Sequence, residues 1–267
     1  MHEMLLPGVT SLLYLILAAL AGRAVMGSAP QSSPGATAQT ITALTLLLHG
    51  TQTYNYLNNP AGIDLSFSNT LSLTALVTVA IFWVSSWRTH LDGFGIIVMP
   101  LAAICSLLPI LPLGNAQPIT MSGPLLSHIL LSIVAYSLLA VASLQALFMA
   151  FIDHQLRSKH PGTLLTGMPP LQQLETLLFR FILVGFIALS ASLVSGWLYM
   201  DDLFGQHVIH KTVLSILAWV TYTLLLAGHY LLGWRGRTAV RLCLAAFSLL
   251  VIGYIGSKFV LEIILQR

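Results

Sequence analysis

Apolar runs of about twenty residues follow one another along almost the whole chain, separated by short breaks rich in glycine, proline, serine and charged residues. An α-helix of this length crosses the roughly 30 Å hydrocarbon core of a bilayer. The pattern therefore predicts an all-α, polytopic integral membrane protein with about eight transmembrane helices. The predicted spans lie at residues 5–22, 38–57, 67–85, 94–113, 124–151, 177–199, 209–232 and 240–264.

The composition is that of a chain embedded in a bilayer along its whole length. Hydrophobic residues make up 57% of the sequence and charged residues 7%, a balance that soluble globular domains do not show. No stretch is long and polar enough for a separate soluble domain, so residues 1–267 are predicted to form a single transmembrane domain. The opening "MHEM" lacks a positively charged region, and the run behind it is long enough to span, so we interpret it as a helix and not as a signal peptide.

Basic residues are distributed unevenly between alternate loops. Only Lys211, Lys258 and Arg267 lie toward one side of the predicted bundle. The positive-inside rule places the larger group in the cytoplasm and both termini outside. The net charge of +3 follows from this topology, so no nucleic-acid partner is predicted. The larger group lies in or beside the loops after the first, third, fifth and seventh runs and comprises Arg23, Arg88, Arg157, Lys159, Arg180, Arg235, Arg237 and Arg241.

One loop, residues 151–179 between the fifth and sixth runs, is longer than the others. Pro169 and Pro170 can open a short helix, because proline fits the first turn. Such a helix would place several leucines on one face, and we expect this amphipathic cytoplasmic segment, near residues 151–176, to lie on the bilayer surface. The alternative is a docking surface for another membrane or cytoplasmic protein. The leucines concerned are Leu171, Leu174, Leu177 and Leu178.

The sequence lacks the motifs that several classes of enzyme and cofactor-binding protein require. Cys105 and Cys243 are far apart and form no CxxC pair, and no CxxCH haem-attachment motif occurs. We find no phosphate-binding glycine loop, no nucleophile with a base at motif spacing and no carboxylate pair inside a span. The sequence therefore predicts a protein that is not an enzyme.

The histidines are the remaining polar groups that could carry chemistry. An ionisable residue within a span is expensive to bury and is a functional candidate by default, whereas an isolated interfacial histidine is usually a boundary residue. His49 falls inside the second span and His229 near the inner end of the seventh. The outer mouths of the fifth and seventh spans carry His128, His207 and His210.

Two of these histidines begin matching sequences. The fifth span begins "HILLSIVAYSLL" at His128 and the seventh "HKTVLSILAWVTYTLL" at His210, so both helices present an imidazole at the same membrane level. Paired imidazoles can bind a haem iron from both sides, whereas a closed zinc site usually needs four ligands. His207 is an alternative ligand or a neighbour of the ligand, and Lys211 could meet a haem propionate. His229 lies about 28 Å along the helix from His210, too far for one haem to bridge both.

These segments resemble the cytochrome c assembly family of haem-handling membrane proteins, including the CcsA, CcmC and HemX types. The resemblance rests on "LLSHILLSIVAYSLL", "MPPLQQLE" and "HKTVLSILAW…GHYLLGWRGR" and is strongest from residue 124 to 241. It implies a multi-pass protein of the bacterial inner membrane that holds haem b and moves it across the bilayer. In that family an outer histidine matching His128 binds haem, Lys211 and Trp219 keep the family spacing, and His49 and His229 roughly match histidines within the membrane.

The resemblance leaves other functions open. The family's outer tryptophan-rich segment is replaced here by "DDLFGQHVIHKT", and the long cytoplasmic loop offers a partner surface. A HemX-like regulator of a soluble haem-biosynthesis enzyme is one alternative. A haem-free membrane scaffold or small-solute transporter is the other.

Overall fold

The computed structural model describes residues 2–26, 35–87, 92–111, 118, 122–157, 171–199 and 209–264. Within these ranges each predicted apolar run contains one α-helix, so the all-α fold class is confirmed. The helices are α1 His2–Met26, α2 Ala36–Leu57, α3 Phe67–Ser86, α4 Gly95–Leu107, α5 Gly123–Arg157, α6 Leu171–Tyr199, α7 Ile209–Leu232 and α8 Arg237–Val251.

Six helices in the described ranges are long and apolar enough to cross a membrane. They are α1, α3, α5, α6, α7 and α8 with the turn that follows it. The chain is therefore a multi-pass membrane protein. The other two helices differ for separate reasons: α4 is short, and α2 carries many polar side chains.

The helices alternate in direction, which gives the bundle two distinct ends. The starts of α3 and α5 and the ends of α6 and α8 meet at one end, around Phe67, His128 and Lys258. We call this the lysine end, because Lys211 and Lys258 lie there. At the opposite, arginine end, the end of α5 meets the starts of α6 and α8. The described arginines lie toward that end: Arg23, Arg157, Arg180, Arg235, Arg237 and Arg241.

The polar side chains of α2 are buried between α1, α3 and α4. Thr42 and Thr45 satisfy their hydroxyls by donating to the carbonyls of Ala38 and Ile41, one turn earlier. Gln52 donates instead to the carbonyl oxygen of Ser106, beyond the midpoint of α4. These bonds allow a helix of mixed polarity to lie inside an apolar bundle.

Beyond α8 the chain winds more loosely, in π-helical turns at Ile252–Gly256 and Phe259–Ile264. Lys258 lies between the two turns. Its ammonium group donates to the Leu65 carbonyl and to Thr70 Oγ1, the latter at 3.3 Å. Leu65 follows a short antiparallel pair of strands, Asn58–Asn59 with Gly62–Ile63, that closes the α2–α3 connection. The last helical segment is thereby tied to the start of α3.

The interfacial helix predicted from the leucine pattern is wrong for the described part of that segment. From Leu171 onward the chain is the beginning of α6, which continues without a break to Tyr199. Leu174 and Leu178 are buried in the core of the bundle. The leucine face therefore packs against neighbouring helices, which a four-residue spacing permits as readily as packing on lipid. Pro169 and Pro170 lie outside the described residues.

Candidate functional site

His128 lies in the second turn of α5 at the lysine end, facing α6. Its Nδ1 atom is 2.9 Å from Ser195 Oγ, and Ser195 donates its only hydroxyl proton to the Ser192 carbonyl at 2.8 Å. When the Ser195 hydroxyl donates to the Ser192 carbonyl, its oxygen accepts from His128, and the proton of a neutral ring is then on Nδ1. The lone pair then lies on Nε2, which is the state in which an imidazole binds a metal.

Glycine at position 196 makes room for this ring. A Cβ atom at Gly196 would lie 3.1 Å from His128 Cε1, closer than an ordinary van der Waals contact. The imidazole is thus fixed by a hydrogen bond on one side and by close packing against α6 on the other. A further hydrogen bond of 2.7 Å, between the hydroxyls of Ser132 and Ser192, joins the same two helices one turn deeper.

His128 borders a cavity of about 100 Å³ between α3, α5 and the end of α8. The walls are mainly apolar and aromatic, and Tyr136 and Tyr254 approach with ring centroids 5.6 Å apart. Thr70 and Lys258 add polar groups. An apolar cavity with a few convergent polar groups is typical of a ligand site.

Two lysines flank Tyr254 at the mouth of this cavity. The Nζ atoms of Lys211 and Lys258 each lie 5.7 Å from the centre of the tyrosine ring, a cation–π distance. Lys211 was predicted as a site residue, and Lys258 was not. The signal for Lys258 was available, since it is a lysine inside an apolar segment on the side opposite most of the basic residues.

The structure does not bring His210, the predicted partner of His128, into this cavity. His210 lies in the first turn of α7 with its side chain exposed, and it does not line the cavity. The pairing of His128 with His210 therefore stays a prediction. His207 lies outside the described residues.

Trp219 lies about 12 Å along α7 from Lys211, between α6 and α7. Its indole nitrogen donates to Ser190 Oγ at 2.8 Å, and its ring stacks on Phe186 with centroids 5.6 Å apart. These contacts join the two helices, and Trp219 is not part of the cavity wall.

His49 is fully buried in α2, and both of its ring nitrogens have partners. Nδ1 lies 2.9 Å from the Tyr14 hydroxyl of α1, and Nε2 lies 3.0 Å from Ser72 Oγ of α3. The ring joins three helices. A metal could bind it only by displacing one of these hydrogen bonds.

His229 lies at the arginine end. Its Nδ1 atom donates to the Trp234 carbonyl oxygen at 2.9 Å, so Nε2 of the neutral ring carries the lone pair. The ring stacks on Phe179, with centroids 3.4 Å apart and planes 15° apart. Gly228 lets the Trp234 ring fold over the helix, because a Cβ there would overlap it.

His49 and His229, the two histidines predicted within the membrane, lie at different levels of the bundle, and haem binding by either stays a prediction. Ser72, the partner of His49, lies in the second turn of α3, which begins at the lysine end. His229 occupies the other end, beside the start of α8. The relative levels of the two histidines could not be predicted from the helical period or the order of the spans. The level of His49 depends on how far α2 is shifted along its axis relative to α1 and α3.

The residues at the lysine end have side chains suited to binding haem, but the cavity that they enclose is too small to contain one. A neutral imidazole with its lone pair on Nε2 suits iron, and lysines suit propionates. The cavity of about 100 Å³ is smaller than the roughly 300–1,000 Å³ of usual cofactor pockets. A macrocycle therefore requires either a position across the cavity mouth or a separation of the helices.

The fold and this site define a multi-pass helical membrane protein with a histidine-bordered cavity at one end. Over residues 37–265 the sequence matches the cytochrome c assembly protein family. The chain belongs to that family, which confirms the resemblance seen in its motifs.

Two relatives illustrate the similarity. The inner membrane protein YpjD of Escherichia coli (strain K12) is 34% identical over 210 residues, covering 76% of this chain and 78% of that protein. The cytochrome c biogenesis protein CcsA of Prochlorococcus marinus (strain AS9601) is 26% identical over 167 residues, covering 55% of this chain and 54% of that protein. No solved structure matches this chain.

Proposed function

We propose that this protein binds and handles haem in the bacterial inner membrane, as a non-enzymatic component of cytochrome c assembly. Family membership supports a role in cytochrome c biogenesis, because the family and its relative CcsA both carry that description. The relative YpjD is described as an inner membrane protein, which supports the location. The lysine end is then the outer end of the bundle, in agreement with the positive-inside rule.

The observation that carries the proposal is the 2.9 Å contact between His128 Nδ1 and Ser195 Oγ at the edge of the cavity. With the proton of the neutral ring on Nδ1, the lone pair is on Nε2, the nitrogen not used in that bond. We propose that His128, through Nε2, and His210, at the start of α7, would hold the iron of haem b. Haem bound by two imidazoles supplies a six-coordinate iron.

We propose that two lysines bind the negatively charged propionates of the haem. Lys211 and Lys258 flank Tyr254 at the cavity mouth, where their ammonium groups can face the propionates. A position across this mouth leaves the macrocycle outside the enclosed space, so it requires no large movement of α5 or α8. His207, three residues before His210, is proposed as a neighbour of the ligand.

We propose a second haem-binding position at the arginine end. His229, like His128, donates its Nδ1 proton to an oxygen and keeps the lone pair on Nε2. Imidazoles prepared for iron therefore lie near both ends of the bundle. We propose that haem passes between these two levels, with His49 acting as a structural link and not as a ligand.

The test is an absorption spectrum of the protein purified after expression with added haem, together with a pyridine haemochrome assay. The expected spectrum is low-spin and six-coordinate, because two imidazoles impose a strong ligand field. His128→Ala or His210→Ala should retain less haem and give a five-coordinate or water-ligated iron, and free imidazole should restore the low-spin form. His154→Ala is the matched control, since His154 is an exposed histidine at the arginine end.

An unchanged spectrum and haem content in the His128→Ala/His210→Ala double variant would contradict the proposal at the lysine end. His229→Ala then decides whether the ligand is at the arginine end. If no variant and no wild-type preparation binds haem, the scaffold or transporter alternative is the better description.

The regulatory alternative, a HemX-like partner of a haem-biosynthesis enzyme, depended on the 151–176 segment as a docking surface. The described part of that segment belongs to α5 and α6, and its leucines at 174 and 178 are buried in the bundle. Residues 158–170 of the loop lie outside the described residues, so the regulatory function stays an alternative to the haem-handling proposal.

A further inference from the structure

A second cavity, far from His128, lies at the arginine end between α5, α6 and α8. Its volume is about 640 Å³. Its rim carries four arginines, Arg157, Arg235, Arg237 and Arg241. Two carboxylates, Asp153 and Glu175, offset half of this charge. With His154 neutral, the cavity keeps two net positive charges.

The carboxylates hold the rim in place and do not fill the cavity. Asp153 binds the Nε atoms of Arg157 and Arg237, at 3.0 and 3.1 Å. Glu175 accepts a hydrogen bond of 2.9 Å from the backbone N–H of Gly236. α5, α6 and the start of α8 are thereby fixed around the opening.

The remaining positive groups are available to an anion. Within the described ranges, Arg235 and Arg241 have no ion-pair partner. α8 begins at Arg237 with no acidic residue in its first turn and no side-chain cap. The positive end of the α8 dipole lies at the same opening, where the Glu175 carboxylate already accepts from the Gly236 N–H.

The other wall of the cavity is apolar. Met149, Ala150, Leu171 and Val240 line it between the membrane helices. A purely topogenic set of arginines needs only to lie in a loop near the membrane. A rim of fixed arginines above an apolar wall is instead the arrangement that accepts a charged head with hydrocarbon attached.

We propose that this cavity binds the phosphate of an anionic phospholipid headgroup, with the acyl chains running along the apolar wall toward the bilayer. Basic pockets between transmembrane helices on the cytoplasmic side bind such headgroups in other proteins. None of the histidines proposed to hold haem, at either end of the bundle, lines this cavity. The site anchors the helix ends around which His229 and Trp234 are arranged.

The test measures lipid binding to the detergent-purified full-length protein by native mass spectrometry, with thermal unfolding as a second readout. The probes are cardiolipin, phosphatidylglycerol, phosphatidylcholine and inorganic phosphate. We expect the two anionic lipids to bind and to raise the unfolding temperature, while phosphatidylcholine and inorganic phosphate do neither. Each arginine removed should weaken binding about fivefold.

The informative variant is Arg235→Gln/Arg241→Gln, because these two arginines make no described ion pair whose loss would unfold the protein. Its unfolding temperature without lipid should equal that of the wild type, and its gain with cardiolipin should be smaller. Arg180→Gln is the matched control, an exposed arginine on α6 outside this cavity. Its lipid binding should equal that of the wild type.

Three results would overturn the proposal. If phosphatidylcholine bound as tightly as cardiolipin, the cavity would not distinguish lipids by the charge of the headgroup. Inorganic phosphate that raises the unfolding temperature as much as cardiolipin would assign the cavity to a free anion. Unaltered lipid binding by the double variant would show that Arg235 and Arg241 do not bind the headgroup. None of these results depends on haem, so this proposal and the proposed function can fail separately.

Discussion

The Ser195 hydroxyl lies between the ring of His128 and the backbone carbonyl of Ser192, accepting from the first and donating to the second. This arrangement across the α5–α6 contact favours a ring proton on Nδ1. A histidine near a membrane surface is ordinarily free to exchange between its two neutral tautomers. Here the tautomer with its lone pair on Nε2 is favoured before any ligand arrives.

Removal of the Ser195 hydroxyl should therefore weaken haem binding without changing the coordination of the iron. We expect Ser195→Ala to retain haem about tenfold less tightly, because the ring loses its orienting partner while His128 is still present. The spectrum of the remaining bound haem should stay low-spin. Haem titration followed by absorption spectroscopy measures both quantities.

The matched control for this experiment is Ser190→Ala, on the same helix. Ser190 binds the indole nitrogen of Trp219 and has no contact with His128. Its loss should leave haem affinity unchanged. Equal affinities for wild type and Ser195→Ala would show that the hydrogen bond does not prepare His128 as a ligand.

His49→Ala should destabilise the protein and leave its haem spectrum unaltered. The substitution leaves the Tyr14 and Ser72 hydroxyls buried without their partner. Each unsatisfied group costs about 1–3 kcal/mol, so the free energy of unfolding should fall by roughly 2–6 kcal/mol. Unfolding by denaturant in detergent measures the change. A lost or shifted haem spectrum in folded protein would instead make His49 a ligand.

Leu174→Asp and Leu178→Asp should each prevent stable folding. Both side chains are buried, at 2% and 0% relative exposure, and an unpaired carboxylate there costs several kcal/mol. Yield of monodisperse protein after size-exclusion chromatography tests this expectation. Leu183→Asp offers a comparison on the same helix, since Leu183 is 37% exposed. Well-folded Leu174→Asp protein would support the surface helix that the leucine spacing first suggested.

The orientation of the bundle is a further prediction. A topology reporter fused at His160 should report the cytoplasm, and one fused at Phe204 should report the outer side. The reason is that most basic residues lie in or beside the loops on the same side of the chain as position 160. Opposite results at both positions would reverse the orientation. The haem position at the lysine end would then face the cytoplasm.

The helices were predictable from the sequence because each one lies in an apolar run that is bounded by polar or helix-breaking residues. The polar residues of α2 did not obscure it, since the run around His49 is still apolar enough to be recognised. The mistaken surface helix has a simple cause. A four-residue leucine repeat predicts an apolar face, but it does not say whether lipid or another helix covers that face.

The site was only partly predictable. His128 and Lys211 were found from their positions at the mouths of spans, and both lie at the cavity end of the bundle. The partners of the histidines were not found, because Ser195, Tyr14 and Ser72 are ordinary residues of apolar helices. Their roles arise only when packing sets the relative depth of two helices, and no pattern within one helix contains that information.

The polar interior of α2 has a consequence for how that helix is held in the bilayer. A segment with this many threonine, glutamine and histidine side chains partitions poorly into hydrocarbon by itself. His49 bonds to Tyr14 of α1 and Ser72 of α3, and the Gln52 amide nitrogen donates to α4. α2 is therefore more stable in the bilayer when α1, α3 and α4 surround it than when it stands alone in lipid.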